Sequence, residues 1–485
     1  MRALSATVLL ALSLAAPVRS EVSVEEVWEA WQARIAAQGS SVEGSVSIDG
    51  ELLTITDMRI DLDVQDGPDV VLETSGVVLR DLGDGRVAVE LPETLPMTLT
   101  HGLTKRTANL NLRQIGLRII VSGEPDDLQQ AYSAEELALD VPPASDQTGD
   151  TQFEGAELII RELVGATQLK AEGQSTDLRA VTAQARLNFR SKREGIPLTT
   201  AIRAGYQRLA ASSSVSAAPE GAPASAASQM ARVSYDGAEL GVIETGADAT
   251  STISLTSGSG TLEASNGNGR LSYELTSEQG SLDAAIADAP FPVSVSFDNS
   301  LLRTSFPIVP SDEAEDFDIA LQLGALQVSD MLWQALDPQN ALDHGPASLA
   351  VDLSGKMRTL VNLLEQQQPV PGVPQAEVYD LSINQFDFAI AGASLAAAGT
   401  FSFDHDDKST FEGMPRPEGF LDVTLEGADK LLDGLTTMKL LPADQAAGIR
   451  MMLGMFSTPA GEGRVTSRLE INEAGEVSAN GQRLR

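Results

Sequence analysis

The chain contains no cysteine, which excludes disulfides, thiolate nucleophiles and cysteine-ligated metals. Histidine is nearly absent: His101, His344 and His405 are the only three, and no two stand at metal-ligand spacing. No nucleophile elbow, zinc-protease helix motif or phosphate-binding loop accompanies them, so His101 and His344 each read as a loop residue rather than a catalytic base. Basic residues are scarce, 33 against 69 acidic ones, for a formal net charge of −36. That field repels nucleic-acid phosphates and anionic surfaces. The acids are scattered, which describes a solvated surface rather than an acidic tail. What the chain does have is 42% hydrophobic residues over 485 positions, enough to build a sizeable core without cross-links.

Long hydrophobic runs are also missing. The apolar run over residues 3–16 follows Arg2 and precedes Pro17 and the small-residue site Val18-Arg19-Ser20. It falls short of the about 20 residues a spanning helix needs. Residues 1–20 are therefore expected to be a secretory signal peptide cleaved between Ser20 and Glu21, with an uncleaved anchor as the alternative. No cysteine follows the run, so a lipid anchor there is excluded. No later segment reaches spanning length, and the mature chain is expected to be soluble.

After the expected cleavage site, Ser23 and Glu26 have capping-box spacing, and Val24, Val27, Trp28, Trp31 and Ile35 form one apolar stripe of a helix. From Val46 onward the period is two. Over 181–190, Val181, Ala183, Ala185, Leu187 and Phe189 alternate with polar residues. Turn signals at Asp49-Gly50, Asp84-Gly85 and Asn266-Gly267-Asn268-Gly269 make the strands antiparallel hairpins. At Asn384-Gln385 the apolar phase slips, which a β-bulge would repair. Helices are expected after Ser329, over 356–367, over 429–438 and over 443–456. The predicted fold is mainly β, a β-rich α+β chain of extended, curved antiparallel sheets with a few short helices, mostly in the C-terminal half. Its expected parts are 1–20 signal peptide, 21–209 helix plus β region, 210–228 an Ala/Ser/Pro-rich linker or loop, and 229–485 a β region with a Met-rich helical pair. No fixed-period repeat is visible.

Few motifs offer chemistry. Asp404-His405-Asp406-Asp407, with Glu412 beyond, is dense enough in oxygen for calcium. The EF-hand pattern fails there, because Lys408 stands at its fifth position and Ser409 where glycine is required. An acidic turn is the plainer reading, and no metal site, cofactor or catalytic residue is assigned. Gly258-Ser259-Gly260 lies among strand signals and reads as a bend in a sheet rather than a nucleotide site. Met438, Met451, Met452, Met455 and Phe456 cluster in two helices. Core filling is the ordinary account of such a cluster. An adaptable surface for an apolar ligand or partner is the functional one, with Cu(I) ligation a distant third.

The segment Leu332-Trp333 to Asp337-Pro338, the run from Gly345 to Gly355, and Gly399-Thr400-Phe401-Ser402-Phe403-Asp404 resemble a bacterial family, domain-of-unknown-function family 2125. Thr410 to Pro415, the Met-rich helix and the ending from Ala479 to Leu484 are similar as well. The resemblance implies an alphaproteobacterial, periplasmic protein with no assigned activity, and no site residue is carried over from it. The long antiparallel strands also resemble those of AsmA-like envelope proteins, as an analogy of fold alone. The expected function is a non-catalytic binding or scaffold module of the cell envelope. Its partner would be an envelope protein or an apolar ligand, with no nucleic acid. The alternative is a carrier for a lipid or other apolar ligand, and the last a carboxylate-dependent hydrolase.

Overall fold

A computed structural model describes residues 21–37, 39–62, 70–103, 107–143, 151–170, 172–193, 195–217, 227–363 and 374–484. The expected signal peptide lies outside them. Helix α1 (Val24–Ala37) opens with the capping box: the Glu26 amide donates to Ser23 Oγ at 3.2 Å, and the Ser23 amide to Glu26 Oε2 at 2.9 Å. Two otherwise orphaned helix donors are satisfied in this way. The helix lays Val24, Val27 and Trp28 onto β1 (Ser41–Asp49), β2 (Leu52–Leu62), β3 (Val70–Asp81) and β4 (Val87–Glu90). Leu53, Ile55, Leu79, Val87 and Val121 are buried beneath it and form the main core.

Next come β5 (Thr94–His101), β6 (Thr107–Ile115), β7 (Arg118–Glu124) and β8 (Asp127–Val141). Strand β3 divides its pairing, residues 78–81 with β4 and 70–74 with β5. The two tracks continue as β4–β7 and β5–β6, and both rejoin on β8. Three long strands follow, β9 (Thr151–Lys170), β10 (Gly173–Arg193) and β11 (Ile196–Ser216). Then β12 (Ser228–Tyr235), β13 (Gly237–Thr245), β14 (Thr250–Ser257), β15 (Gly260–Gly267) and β16 (Arg270–Ala285) repeat the same connectivity. Strand β11 splits between β12 and β13, and the tracks β12–β15 and β13–β14 rejoin on β16. This is a duplication of topology with no fixed sequence period.

The remaining elements are β17 (Val293–Pro307), β18 (Glu315–Val328), α2 (Asp330–Leu336), β19 (Ala347–Thr359), β20 (Ala376–Ile390), β21 (Ala393–Asp404) and β22 (Arg416–Glu426). They are followed by α3 (Ala428–Thr437), α4 (Ala443–Phe456), β23 (Thr458–Gly461), β24 (Arg464–Ile471), β25 (Val477–Ala479) and β26 (Gln482–Arg483). All described strands join one antiparallel sheet. The expected bulge is present: the β20–β21 register shifts between Ile383 and Phe386.

A line of irregularity crosses this sheet. Glu162, Arg208, Gln279 and Ala325 have positive φ inside long strands. Ladder pairs skip at each of them, as at Ala180↔Leu209 followed by Thr182↔Gln207, or Glu278↔Asn299 followed by Gly280↔Phe297. Between the long strands the line passes through chain turns. The Asp236 amide donates to the Gln207 carbonyl at 3.0 Å, and Gly258 to the Glu278 carbonyl at 2.8 Å. The register is the same on both sides of each gap, and a left-handed residue breaks the pleat of the strand that carries it, so these aligned interruptions crease the sheet from β9 to β18.

Two expectations are corrected. Residues 356–359 are strand, not helix: β19 runs to Thr359, where Met357 pairs with Val378 and Thr359 Oγ1 donates to the Pro307 carbonyl at 3.0 Å. Apolar residues at 357, 360 and 361 fit a helical period, but β18 and β20 stand on either side and take up the backbone groups. Residues 364–367 of that expected helix lie outside the described residues. Residues 210–216 are not a linker either. They complete β11, paired to β10 and β12, because small side chains leave backbone pairing intact. Residues 218–226 lie outside the described residues. The two expected halves are thus joined by a continuous ladder.

Candidate functional site

Directly paired residues in an antiparallel ladder project from the same face, so following the pairs traces that face across the sheet. From Val233 on β12 they run to Leu262, Leu275, Leu302, Leu321, Val351, Phe386, Ala397 and Val423 on β22. Every member is apolar. In the other direction the row continues through Ala211, Leu178, Gly165, Tyr132 and Ile119 to Val89, Leu79 and Leu53 under α1. A second row lies across the crease: Leu95, Leu112, Leu139, Leu158, Ala185, Ala204, Leu240, Leu255, Leu282, Val295 and Val328. Where the rows approach, Ile160 packs with Leu163, Leu178 and Ala180, which puts both on one face.

Burial divides this face in two. Under α1 the side chains of Leu53, Leu79 and Val89 are shielded, but Leu262, Leu275, Leu302 and Leu321 are 40–44% exposed. Leu158, Leu240 and Leu255 on the second row are similarly open. Among the described residues nothing covers them. At 4.7–4.9 Å per strand, the eight steps from Val233 to Val423 give an apolar row of roughly 38 Å.

The opposite face is polar. One residue over from the first row, Arg232, Glu263, Glu274 and Arg303 stand in register. Arg303 pairs with Asp318 at 3.3 Å and Asp352 at 3.7 Å, and Arg113 with Asp140 at 2.5 Å. Such half-exposed pairs contribute at most about 1 kcal/mol each. Their main effect is to keep that face in water.

The methionine cluster sits at one end of the sheet. Met438 and Phe456 are half-buried, whereas Met451 is 69% exposed and Met452 and Met455 more than half. The last three are therefore not core filling. Leu432, Gly434 and Ala446 are the residues that the helical pair buries. The Phe456 carbonyl accepts from Ser467 Oγ at 2.6 Å, and Ser467 is the ladder partner of Val423. The C-terminus of α4 thus meets the end of the first row. At the other end of the chain, Glu21 is exposed beside Gly85, while Ser20 lies outside the described residues.

The acidic turn is closed on itself. Arg416 pairs with Asp404 at 2.8 Å and Asp407 at 3.1 Å, supplying the positive charge that a cation would bring. Asp407 also accepts from Thr410 Oγ1, the Thr410 amide and Ser409, which holds its carboxyl down to about 2. Glu412 has positive φ in the adjoining turn. No cluster with metal-ligand character occurs among the described residues. His405 Nε2 lies 2.8 Å from the Val378 carbonyl, and His101 ends β5.

His344 stacks on Trp333, ring centroids 4.2 Å apart, and contacts buried Asp337 at 3.1 Å. Asp337 also accepts the amides of Ala341 at 3.0 Å and Leu342 at 2.8 Å. The Ala341 bond, with Leu342 and His344 behind it, holds this carboxyl below its ordinary range against the opposing effect of burial. A lowered folded value means that the group contributes stability above its unfolded value, about 3.9, and that this is lost as pH falls through the folded one. Asp337→Asn is expected to lower the melting temperature at pH 7 and to flatten its fall below about pH 4. Thermal scans from pH 2.5 to 7 check this; parallel wild-type and variant curves would contradict it.

Period-two alternation marks a dry face in segments such as 181–190, yet the lateral rows are invisible in the sequence because register between strands is not local. No helix among the described residues is long and apolar enough to cross a membrane. Residues 245–481 match the model of a family described as an uncharacterized protein conserved in bacteria, DUF2125. No curated protein and no solved structure gives a significant match to the chain.

Proposed function

We propose, with residues 245–481 taken as a DUF2125 region, that this chain is a non-catalytic binding module of the bacterial envelope that carries acyl chains on its creased sheet. The carrying observation is the open apolar row from Leu262 to Leu321 and its parallel partner through Leu240 and Leu255. Monomeric soluble proteins rarely expose contiguous apolar surface beyond a few hundred Å² unless something binds there. Both rows are mainly aliphatic and run straight across many strands, which suits a linear hydrocarbon better than a compact ligand. The expected signal peptide supports a periplasmic setting, where no cysteine is needed and the chain's net charge of −36 keeps the carrier dissolved.

The test is native mass spectrometry of the chain purified gently from an exporting host, with titration by a fluorescent fatty-acid analogue. Adducts of acyl-lipid mass and saturable uptake of the probe are expected. A lipid-free chain that dimerises through this face and ignores the probe would sink the reading.

A further inference from the structure

Where α1 ends over the tips of β8–β11, a cleft of about 410 Å³ is lined by Ala30, Arg34, Leu128, Leu169, Lys170 and Val215. That volume is within the ordinary range for small-molecule sites. Leu128, Leu169 and Val215 lie on the face that carries the rows, since Leu128 pairs with Leu169, Leu169 with Gln174, and Gln174 with Val215. Four residues along β9 separate Leu169 from Gly165 of the first row, about 13 Å at strand rise. Between them lie hydroxyls, Thr167 and Thr176 at 3.1 Å and Tyr132 and Thr167 at 3.4 Å.

Arg34 is the anomaly in this cleft. Its Nη1 donates to the Lys170 carbonyl at 2.7 Å, which fixes the guanidinium plane. Its Nε–H is buried and has no partner among the described residues. A buried charged donor left unpaired is costly, and such groups in folded proteins call for an acceptor. Arg34 lines the cleft, and with Nη1 anchored and Nε closed off from solvent, Nη2 is the donor that a carboxylate or phosphate entering the cleft would meet in a charge-assisted hydrogen bond. We infer that Arg34 binds the anionic headgroup of an amphiphile, a carboxylate or a phosphate, whose first carbons occupy this cleft. The inference rests on the acyl-chain reading, and it names the ligand class: chains with an acidic head rather than neutral hydrocarbons. Asp126 also borders the cleft, so the head must sit on the Arg34 side. The chain's overall negative charge does not oppose this at short range, because salt screens exposed charges beyond about 8–10 Å.

The experiment titrates the purified full chain with palmitate, a diacyl phosphatidate and hexadecanol. Wild type should bind at least one of the acids about tenfold or more tighter than the alcohol; which one answers identifies carboxylate or phosphate as the head. Arg34→Gln should lose about tenfold toward that acid and stay within about twofold for hexadecanol, with Arg34→Lys in between. Circular dichroism checks that the variants fold, and the wild-type acid-to-alcohol ratio stands without them. Equal wild-type affinities for acid and alcohol, or a folded Arg34→Gln that keeps its acid affinity, overturn the inference and leave the carrier reading intact. Binding of none of the three overturns both.

Discussion

Truncating Leu79 to Ala is expected to cost about 2–5 kcal/mol of unfolding free energy, whereas Leu302→Ala should cost under about 1 kcal/mol. Both leucines belong to the same row on the same face. Leu79 is fully buried with Val27 and Trp28 in the core under α1, and its removal leaves a cavity that a packed core closes only in part. Leu302 is 42% exposed, so its truncation removes little contact and opens no void. Urea unfolding of both variants, compared at equal m-values, measures the difference. Comparable losses at the two sites would mean that the row beyond α1 is covered in the native protein.

The double variant Leu275→Glu with Leu302→Glu should lose acyl-probe binding at least tenfold while keeping its strand content. The two residues are direct partners on β16 and β17. Carboxylates there remain hydrated in the free protein, but a chain laid over them would strip that water at high cost. Like charges opposite one another add a smaller penalty to the fold. Gln322→Glu is the control, since Gln322 neighbours Leu321 in sequence but projects from the polar face. Unchanged probe affinity in the double variant would remove the rows from the binding site.

Local signals in the sequence carried far. The Ser23–Glu26 capping box, the Asn268-Gly269 turn, the bulge after Ile383 and the α3 and α4 helices each depend on residues a few positions apart, and each appears in the structure. The failures share the opposite character. Residues 356–359 fit a helical stripe when taken alone, and 210–216 look like a linker, but both are strands because long partners lie beside them. The methionines show the same limit: spacing put them on helices, while only packing decided that Met451, Met452 and Met455 face outward.

By itself the sequence determined that the chain is β-rich, antiparallel and free of cysteine chemistry, and, in segments such as 181–190, which side chains alternate toward a dry face, because alternation and turn chemistry act within a few residues. The tertiary structure alone decided that those dry faces line up into two rows, that a crease runs between them, and that α1 covers one stretch and leaves the next open. Register, the alignment of the ladder interruptions and the reach of a helix depend on partners up to hundreds of residues away, and no local pattern encodes them.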